Sequence, residues 1–161
     1  MVSDERWIPV DPAVRAGMYQ SLNQVPDHLR LEVYEYQFEE RDCWTEYLTA
    51  QSHAGTELPV KRQQYLGRAE NRWKEFIQGR GKHHALCSPE DAESYAKHLL
   101  NHFPISVDTA ARYWIEIERF YRWMFQHTEY PHRYHPFVMS AAANDVSREL
   151  WVNAIERGNH E

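Results

Sequence analysis

SVDTAARYWIEIERFYRWM, residues 106–124, is the most informative segment of the chain because it joins a helix start signal to a long apolar stripe. Ser106 and Thr109 have the spacing of an N-cap and the residue that it caps. At about 100° per residue, the apolar side chains fall together on one side of a helix. These side chains are Ala110, Trp114, Ile117, Tyr121 and Met124. The segment therefore predicts a long amphipathic helix that ends near Gln126 and packs its apolar side into a core.

The opposite side of this helix is charged. Arg112, Arg119 and Arg122 fall away from the apolar stripe, and Glu116 and Glu118 dilute their positive charge. Two interpretations stay open at this point. The charges form either a solvated face with ion pairs four residues apart, or a surface that faces an anionic partner. Helical periodicity alone does not choose between them.

Four further segments show helical periodicity between clear start and stop signals. They cover about residues 27–52, 60–78, 88–103 and 145–157. The third of them begins with Ser88 and Pro89, and Asp91 stands where it can complete a capping box. No alternating strand pattern appears. The predicted fold class is therefore all-α, with four main helices and helical extensions at the N-terminal and C-terminal ends.

Composition places the chain among ordinary globular proteins. Its 161 residues, 42% of them hydrophobic, suffice for one domain with an appendage. No window has the apolar length of a membrane span, and the N-terminal MVSDERWIPV is acidic where a secretory signal would be basic. We therefore expect a cytoplasmic protein. Cys43 and Cys87 are too few for a disulfide framework and are expected to be plain thiols.

The charge of the chain is unevenly distributed. The net charge is −6, but residues 60–137 carry 12 Lys and Arg against 9 Asp and Glu, together with seven of the ten histidines. Residues 1–59 carry 4 basic against 11 acidic residues. An acidic flank beside a basic centre is compatible with a local anion-binding surface.

The order of the motifs along the chain favours the anion-binding interpretation. RWKEFIQGRG, SPEDAESYAKHLL, SVDTAARYWIEIERFYRWM and YHPF follow one another in this order. Together they resemble the core-binding domain of tyrosine recombinases, the phage integrase family, which is a SAM-like domain of four main helices. His135 stands where that family usually has an asparagine before the proline. The resemblance covers residues 27–137 as a core-binding domain. Outside it lie an acidic N-terminal extension at 1–26 and, at 138–161, a C-terminal helix or linker toward a missing catalytic domain.

The resemblance also implies a DNA-binding surface. In that family the core-binding domain forms half of a C-shaped clamp on duplex DNA, through its second and fourth helices. Carried onto this chain, the surface consists of Lys61, Arg62, Gln64, Arg68, Thr109, Arg112, Tyr113 and Arg119. Arg72 continues the polar stripe of the second helix, and Arg80 and Lys82, in the turn GRGKHH, are candidates for further backbone contacts. Arginine and lysine neutralise phosphates, and the amide of Gln64 has the geometry to read an adenine edge.

The recombination chemistry of that family requires a separate catalytic domain with a tyrosine nucleophile. Only 24 residues follow Phe137 and none is a tyrosine, so no catalytic activity is expected. Two origins stay open: a fragment of a recombinase, or a standalone relative that only binds DNA. The implied partners are duplex DNA and other recombinase protomers, with no membrane, no small-molecule substrate and no cofactor. The implied localisation is cytoplasmic and nucleoid-associated.

Two other functions compete with DNA binding. One is a helical protein–protein interaction module that docks through its acidic N-terminal third. The other is an enzyme with a His-centred metal site, because His98 and His102 stand four residues apart and HHALC and HRYH add candidate ligands. No Glu directly follows His98 as the zincin motif requires, and HHALC and HRYH have no recognised ligand spacing. Surface and packing roles are favoured for them, and no metal site is predicted.

Overall fold

Helices form all the regular secondary structure of residues 11–15, 19–52 and 58–160, which are the residues that the computed structural model describes. The α-helices are α1 Pro12–Arg15, α2 Glu35–Phe38, α3 Cys43–Ser52, α4 Val60–Gly79, α5 Pro89–His102, α6 Val107–Phe125, α7 Pro136–Ala143 and α8 Asp145–His160. Short 3₁₀ turns cover Leu22–Gln24, Asp27–Leu29 and Leu31–Tyr34. The predicted all-α class is confirmed. No helix among the described residues is both long and apolar enough to cross a membrane.

Helix α6 lies at the centre of the protein. Its N-cap Ser106 accepts a hydrogen bond from the Thr109 N–H at 3.1 Å, as its sequence predicts. The apolar stripe that was predicted for this helix is fully buried. Around it pack α3, α4, α5, α7 and α8. Burial of such a stripe against five neighbours supplies much of the stabilisation of a small helical fold.

Helices α4 and α5 begin and end close to their predicted bounds. Ser88 and Asp91 form the predicted capping box at the start of α5, each side chain bonding to the backbone N–H of the other. In α4 the indole of Trp73 is buried, and its Nε1 donates to the His84 carbonyl at 2.8 Å. Its ring lies edge-on to Tyr95 at 4.9 Å, which joins α4 to α5.

The segment predicted as one helix over 27–52 is broken instead. It runs as 3₁₀ turns and α2 to Phe38, and α3 begins separately at Cys43. The apolar stripe in its first half is weak, because Tyr36 remains 72% exposed. Asp42 then starts a new helix by accepting hydrogen bonds from the Thr45 N–H and hydroxyl.

The chain beyond residue 135 returns to the core. Pro136 starts α7, which the sequence did not indicate, and the ring of Phe137 contacts Trp73, Trp114 and Tyr121 at 5.1–5.4 Å. Helix α8 packs against α5, α6 and α7. Helix α7 begins with Pro136 at its first position, and most of its residues are buried. Helices α7 and α8 cover the bundle, and α8 also forms one wall of a groove.

Candidate functional site

A groove of about 590 Å³ lies between the start of α4, the outer side of α6 and the end of α8. Its basic lining residues are Lys61, Arg62, Arg112, Arg119 and Arg157, and Glu116 is its one acidic lining residue among the described positions. Pro59, Tyr65, Ile115, Ala154 and Gly158 complete the wall. Five positive charges against one negative charge stand out on a chain of net charge −6. We call this feature the basic groove.

Glu116 holds two arginines of the basic groove in place. Its carboxylate is almost fully buried, at 2% exposure, and accepts both forks of the Arg62 guanidinium at 2.6 and 3.0 Å. Arg119 approaches the same carboxylate at 3.4 Å. The expectation that Glu116 dilutes an exposed face is therefore wrong, because the carboxylate points inward and orients two arginines. A bidentate pair of this kind fixes the plane of the guanidinium.

Arg157 enters the basic groove from α8. Its Nη2 atom lies 2.7 Å from Asp108 Oδ1 and donates to Asn153 Oδ1 at 2.8 Å. Its Nη1 atom is buried and has no hydrogen-bond acceptor among the described residues. A buried donor without an acceptor costs free energy, which the bonds of Nη2 to Asp108 and Asn153 partly offset.

Tyr65 presents a second donor of the same kind. Its ring stacks on Tyr113 at 5.1 Å, and its buried hydroxyl has no hydrogen-bond partner among the described residues. Burial raises the pKa of Tyr65, so the hydroxyl keeps its proton and remains a donor. Two residues that line the basic groove, Tyr65 and Arg157, thus each have a buried donor without a partner among the described residues.

Two cations of the basic groove make no direct bond to a described side chain. No hydrogen bond or ion pair within the described ranges joins Lys61 or Arg112 to another side chain, and both residues are exposed. Arg62, Arg119 and Arg157, by contrast, are held by carboxylates. The groove thus combines three arginines that carboxylates hold in place with two cations that make no such bond.

Four other predicted residues do not line the basic groove. Arg68 is exposed, and its Nε donates to the Tyr113 hydroxyl at 3.3 Å. Tyr113 is buried and acts as a support, since its ring stacks on Tyr65. Gln64 is exposed on α4. Thr109 is held at the start of α6 by its bonds with Ser106.

The remaining predicted residues lie elsewhere. The Arg72 guanidinium is sandwiched between the rings of Phe103 and Tyr113, at 4.2 and 4.4 Å from their centroids. Arg80 and Lys82 each contact a carboxylate oxygen of buried Asp91 at 2.6 Å. They stand at the far end of α4, about 28 Å from Lys61 at 1.5 Å per residue.

Asp91 is the structural partner of Arg80 and Lys82. Burial alone would raise its pKa, but the bonds from Lys82, Ser88 and Arg80 lower it below the ordinary value for aspartate. The carboxylate therefore stays charged and ties the turn after α4 to the capping box of α5. Arg80 and Lys82 have a structural partner whether or not they also meet a ligand.

Neither Arg157 nor Tyr65 was singled out from the sequence. Arg157 follows the apolar residues Ala154 and Ile155 on α8, but nothing in the local pattern says which helix that face meets. Its position in the groove depends on the packing of α8 against α6, which is a long-range tertiary contact. Comparison with models of known protein families, with curated proteins and with solved structures finds no match.

Proposed function

We propose that the protein is a DNA-binding module, without catalytic activity, that holds the phosphate backbone of duplex DNA in the basic groove. The observation that carries the proposal is the convergence of five basic side chains from α4, α6 and α8 on one groove of an acidic chain. Surfaces that bind DNA are recognised by such a local concentration of Lys and Arg.

The resemblance to tyrosine recombinases supports the same surface independently. It implied Lys61, Arg62, Arg112 and Arg119 from motif order alone, and these four residues line a single groove in the fold. On this basis we propose the core-binding role of that family: one half of a clamp on duplex DNA. Two exposed residues of α4, Gln64 and Arg68, extend this surface along the helix. We propose that they contact base edges of the DNA.

The chemistry of the basic groove suits phosphate in two ways. Arg62 and Arg119 are oriented by Glu116, so little side-chain entropy is lost when they bind. Lys61 and Arg112 make no hydrogen bond or ion pair with a described side chain, so their charges can replace the counterions of DNA.

A salt-dependent titration tests the proposal. With five phosphate contacts, counterion release gives a slope of log affinity on log salt of about −4.5, so binding should weaken by about 500-fold between about 50 and 200 mM salt. Fluorescence anisotropy of a labelled duplex measures this. Absence of binding at the lower salt, or binding that is insensitive to salt, would overturn the proposal and favour a protein–protein interaction module.

A further inference from the structure

A cluster of metal-ligating side chains, none of which lines the basic groove, lies between the start of α3 and the loop after α4. Cys43, His83 and His84 each offer a ligand atom, and these atoms all lie within 4.8 Å of one another. Forty residues of sequence separate Cys43 from the two histidines, so no local spacing revealed the cluster. The structure brings it together by packing α3 against the HHALC segment.

A path leads from this cluster to solvent. A cavity of about 490 Å³ is lined by His83 and His84 together with Asp42, whose Oδ1 lies 3.6 Å from His84 Nε2. Three further acids, Glu35, Glu39 and Glu40, line this cavity together with three bases, Arg41, Lys74 and Lys82. The four carboxylates outnumber the three bases, which favours the entry of a cation, and Cys43 itself is at 0% exposure.

We propose that Cys43, His83 and His84 bind a Zn²⁺ ion, with Asp42 or a water molecule as the fourth ligand on the cavity side. One thiolate and two imidazoles form a donor set of borderline softness, which suits Zn²⁺ in tetrahedral geometry and does not suit Mg²⁺ or Ca²⁺. As the Zn–S bond forms, the Cys43 thiol proton leaves to solvent. The inference does not depend on DNA binding.

The hydrogen bonds around the histidines show which nitrogen of each ring can bind the ion. Nε2 of His83 lies 2.8 Å from the Arg41 carbonyl, which is the kind of backbone partner that fixes the tautomer of a metal-binding imidazole, so its Nδ1 is the atom assigned to the metal. On His84 the assigned atom is Nε2, because it has the lone pair that accepts the Cys43 and Trp44 N–H groups at 3.1 and 3.4 Å and lies beside Asp42. The ion would replace these two hydrogen bonds and the bond that His83 Nδ1 accepts from the Ala85 N–H at 3.0 Å.

Binding of the ion would tie two segments that are distant in the chain. Cys43 begins α3, and His83 and His84 follow the turn that ends α4. A ligand that binds only the folded state stabilises it by mass action. The melting temperature should therefore rise when Zn²⁺ is added to the chelator-treated protein and fall again with excess chelator.

The test uses the full chain and the metals themselves. After chelator treatment, calorimetric titration with ZnCl₂ should show one ion per chain, and Co²⁺ should give a tetrahedral visible spectrum with a thiolate charge-transfer band. His83→Gln and Cys43→Ser should each lower the Zn²⁺ affinity by more than about 100-fold, beyond the loss expected for an outer-shell partner. Far-UV circular dichroism checks that the variants remain helical.

Matched controls are present in the chain. Cys87 is the other buried cysteine, and His98 and His102 are a stacked histidine pair outside the cluster. Cys87→Ser and the double variant His98→Gln/His102→Gln should keep full affinity. The proposal is overturned if Zn²⁺ does not bind stoichiometrically, if the Co²⁺ spectrum of the unmodified protein lacks the thiolate band, or if the His98/His102 variant alone loses the metal. The Co²⁺ spectrum is measured on the unmodified chain, so it decides the matter even if Cys43→Ser does not fold.

Discussion

Replacing both Arg112 and Arg119 with alanine is expected to weaken duplex DNA binding by about 100-fold at about 50 mM salt. Each lost phosphate contact should also reduce the steepness of the salt dependence by about one, so the slope should become shallower by about two. Both residues lie on the outer side of α6 and line the basic groove. Anisotropy titrations at several salt concentrations measure the affinity and the slope together.

The fold should tolerate this double substitution. Arg112 makes no hydrogen bond or ion pair within the described residues, and removal of Arg119 leaves Glu116 with both of its hydrogen bonds from Arg62. A loss of binding can then be assigned to the missing charges. The melting temperature of the variant should stay close to that of the unmodified protein.

A control variant separates local from overall charge. Lys97→Ala/Arg133→Ala also removes two positive charges, and both of these residues are exposed outside the basic groove. It should bind DNA with nearly unchanged affinity and slope. If the two double variants weaken binding equally, the basic groove has no special role and the effect is one of net charge.

Replacing Glu118 with glutamine is expected to lower the free energy of unfolding by about 3 kcal/mol at neutral pH, in the range seen when one partner of a buried ion pair is removed. Glu118 is at 0% exposure and was expected on a charged outer face, which is wrong. Its carboxylate instead accepts hydrogen bonds from Nε and Nη2 of Arg122 and lies 2.9 Å from His135 Nε2. The group therefore joins α6 to the residue that precedes α7.

The pH dependence of this effect has a definite sign. Burial alone would raise the pKa of Glu118, but the hydrogen bond from His135 and the charge of Arg122 lower it to about 2, from an ordinary value of 4.5. A carboxyl group with a lowered folded-state pKa stabilises the fold above its ordinary value, and that stabilisation is lost as the pH falls toward the folded-state value.

Urea unfolding at pH 7 and at pH 3 measures both expectations. The difference between the unmodified protein and Glu118→Gln should be largest at pH 7 and should shrink at pH 3. Glu149→Gln, at an exposed position of α8, is the matched control and should change stability by less than about 0.5 kcal/mol. An equal, pH-independent loss in Glu118→Gln would contradict the account of a charged buried carboxylate.

Local signals predicted the strongest parts of the fold. The bounds of α4, α5 and α6 follow from the proline and serine at their starts and from apolar stripes that continue for three turns or more. The break before α3 was missed because Asp42 starts that helix with a side-chain bond inside an otherwise continuous helical pattern. Helix α7 was missed because it is short, and its burial comes from packing against α5 and α8.

The candidate site was predictable only in part, for a physical reason. Lys61, Arg62, Arg112 and Arg119 lie on the polar faces of two strongly periodic helices, so motif order could single them out. The packing of α4, α6 and α8 against one another determines that Glu116 points inward and that Arg157 lines the groove. Such long-range packing leaves no periodic mark in a single sequence, and the same is true of the Cys43–His83–His84 cluster.

The most direct test of the central claim is an NMR titration of the ¹⁵N-labelled chain with an unlabelled duplex at about 50 mM salt, where phosphate contacts are strong. The side-chain Nε–Hε signals report the arginines individually. We predict that the signals of Arg62, Arg112, Arg119 and Arg157, all in the basic groove, shift or broaden together while that of Arg133 stays in place. Shifts confined to other surfaces, or no shifts at all, would contradict the account.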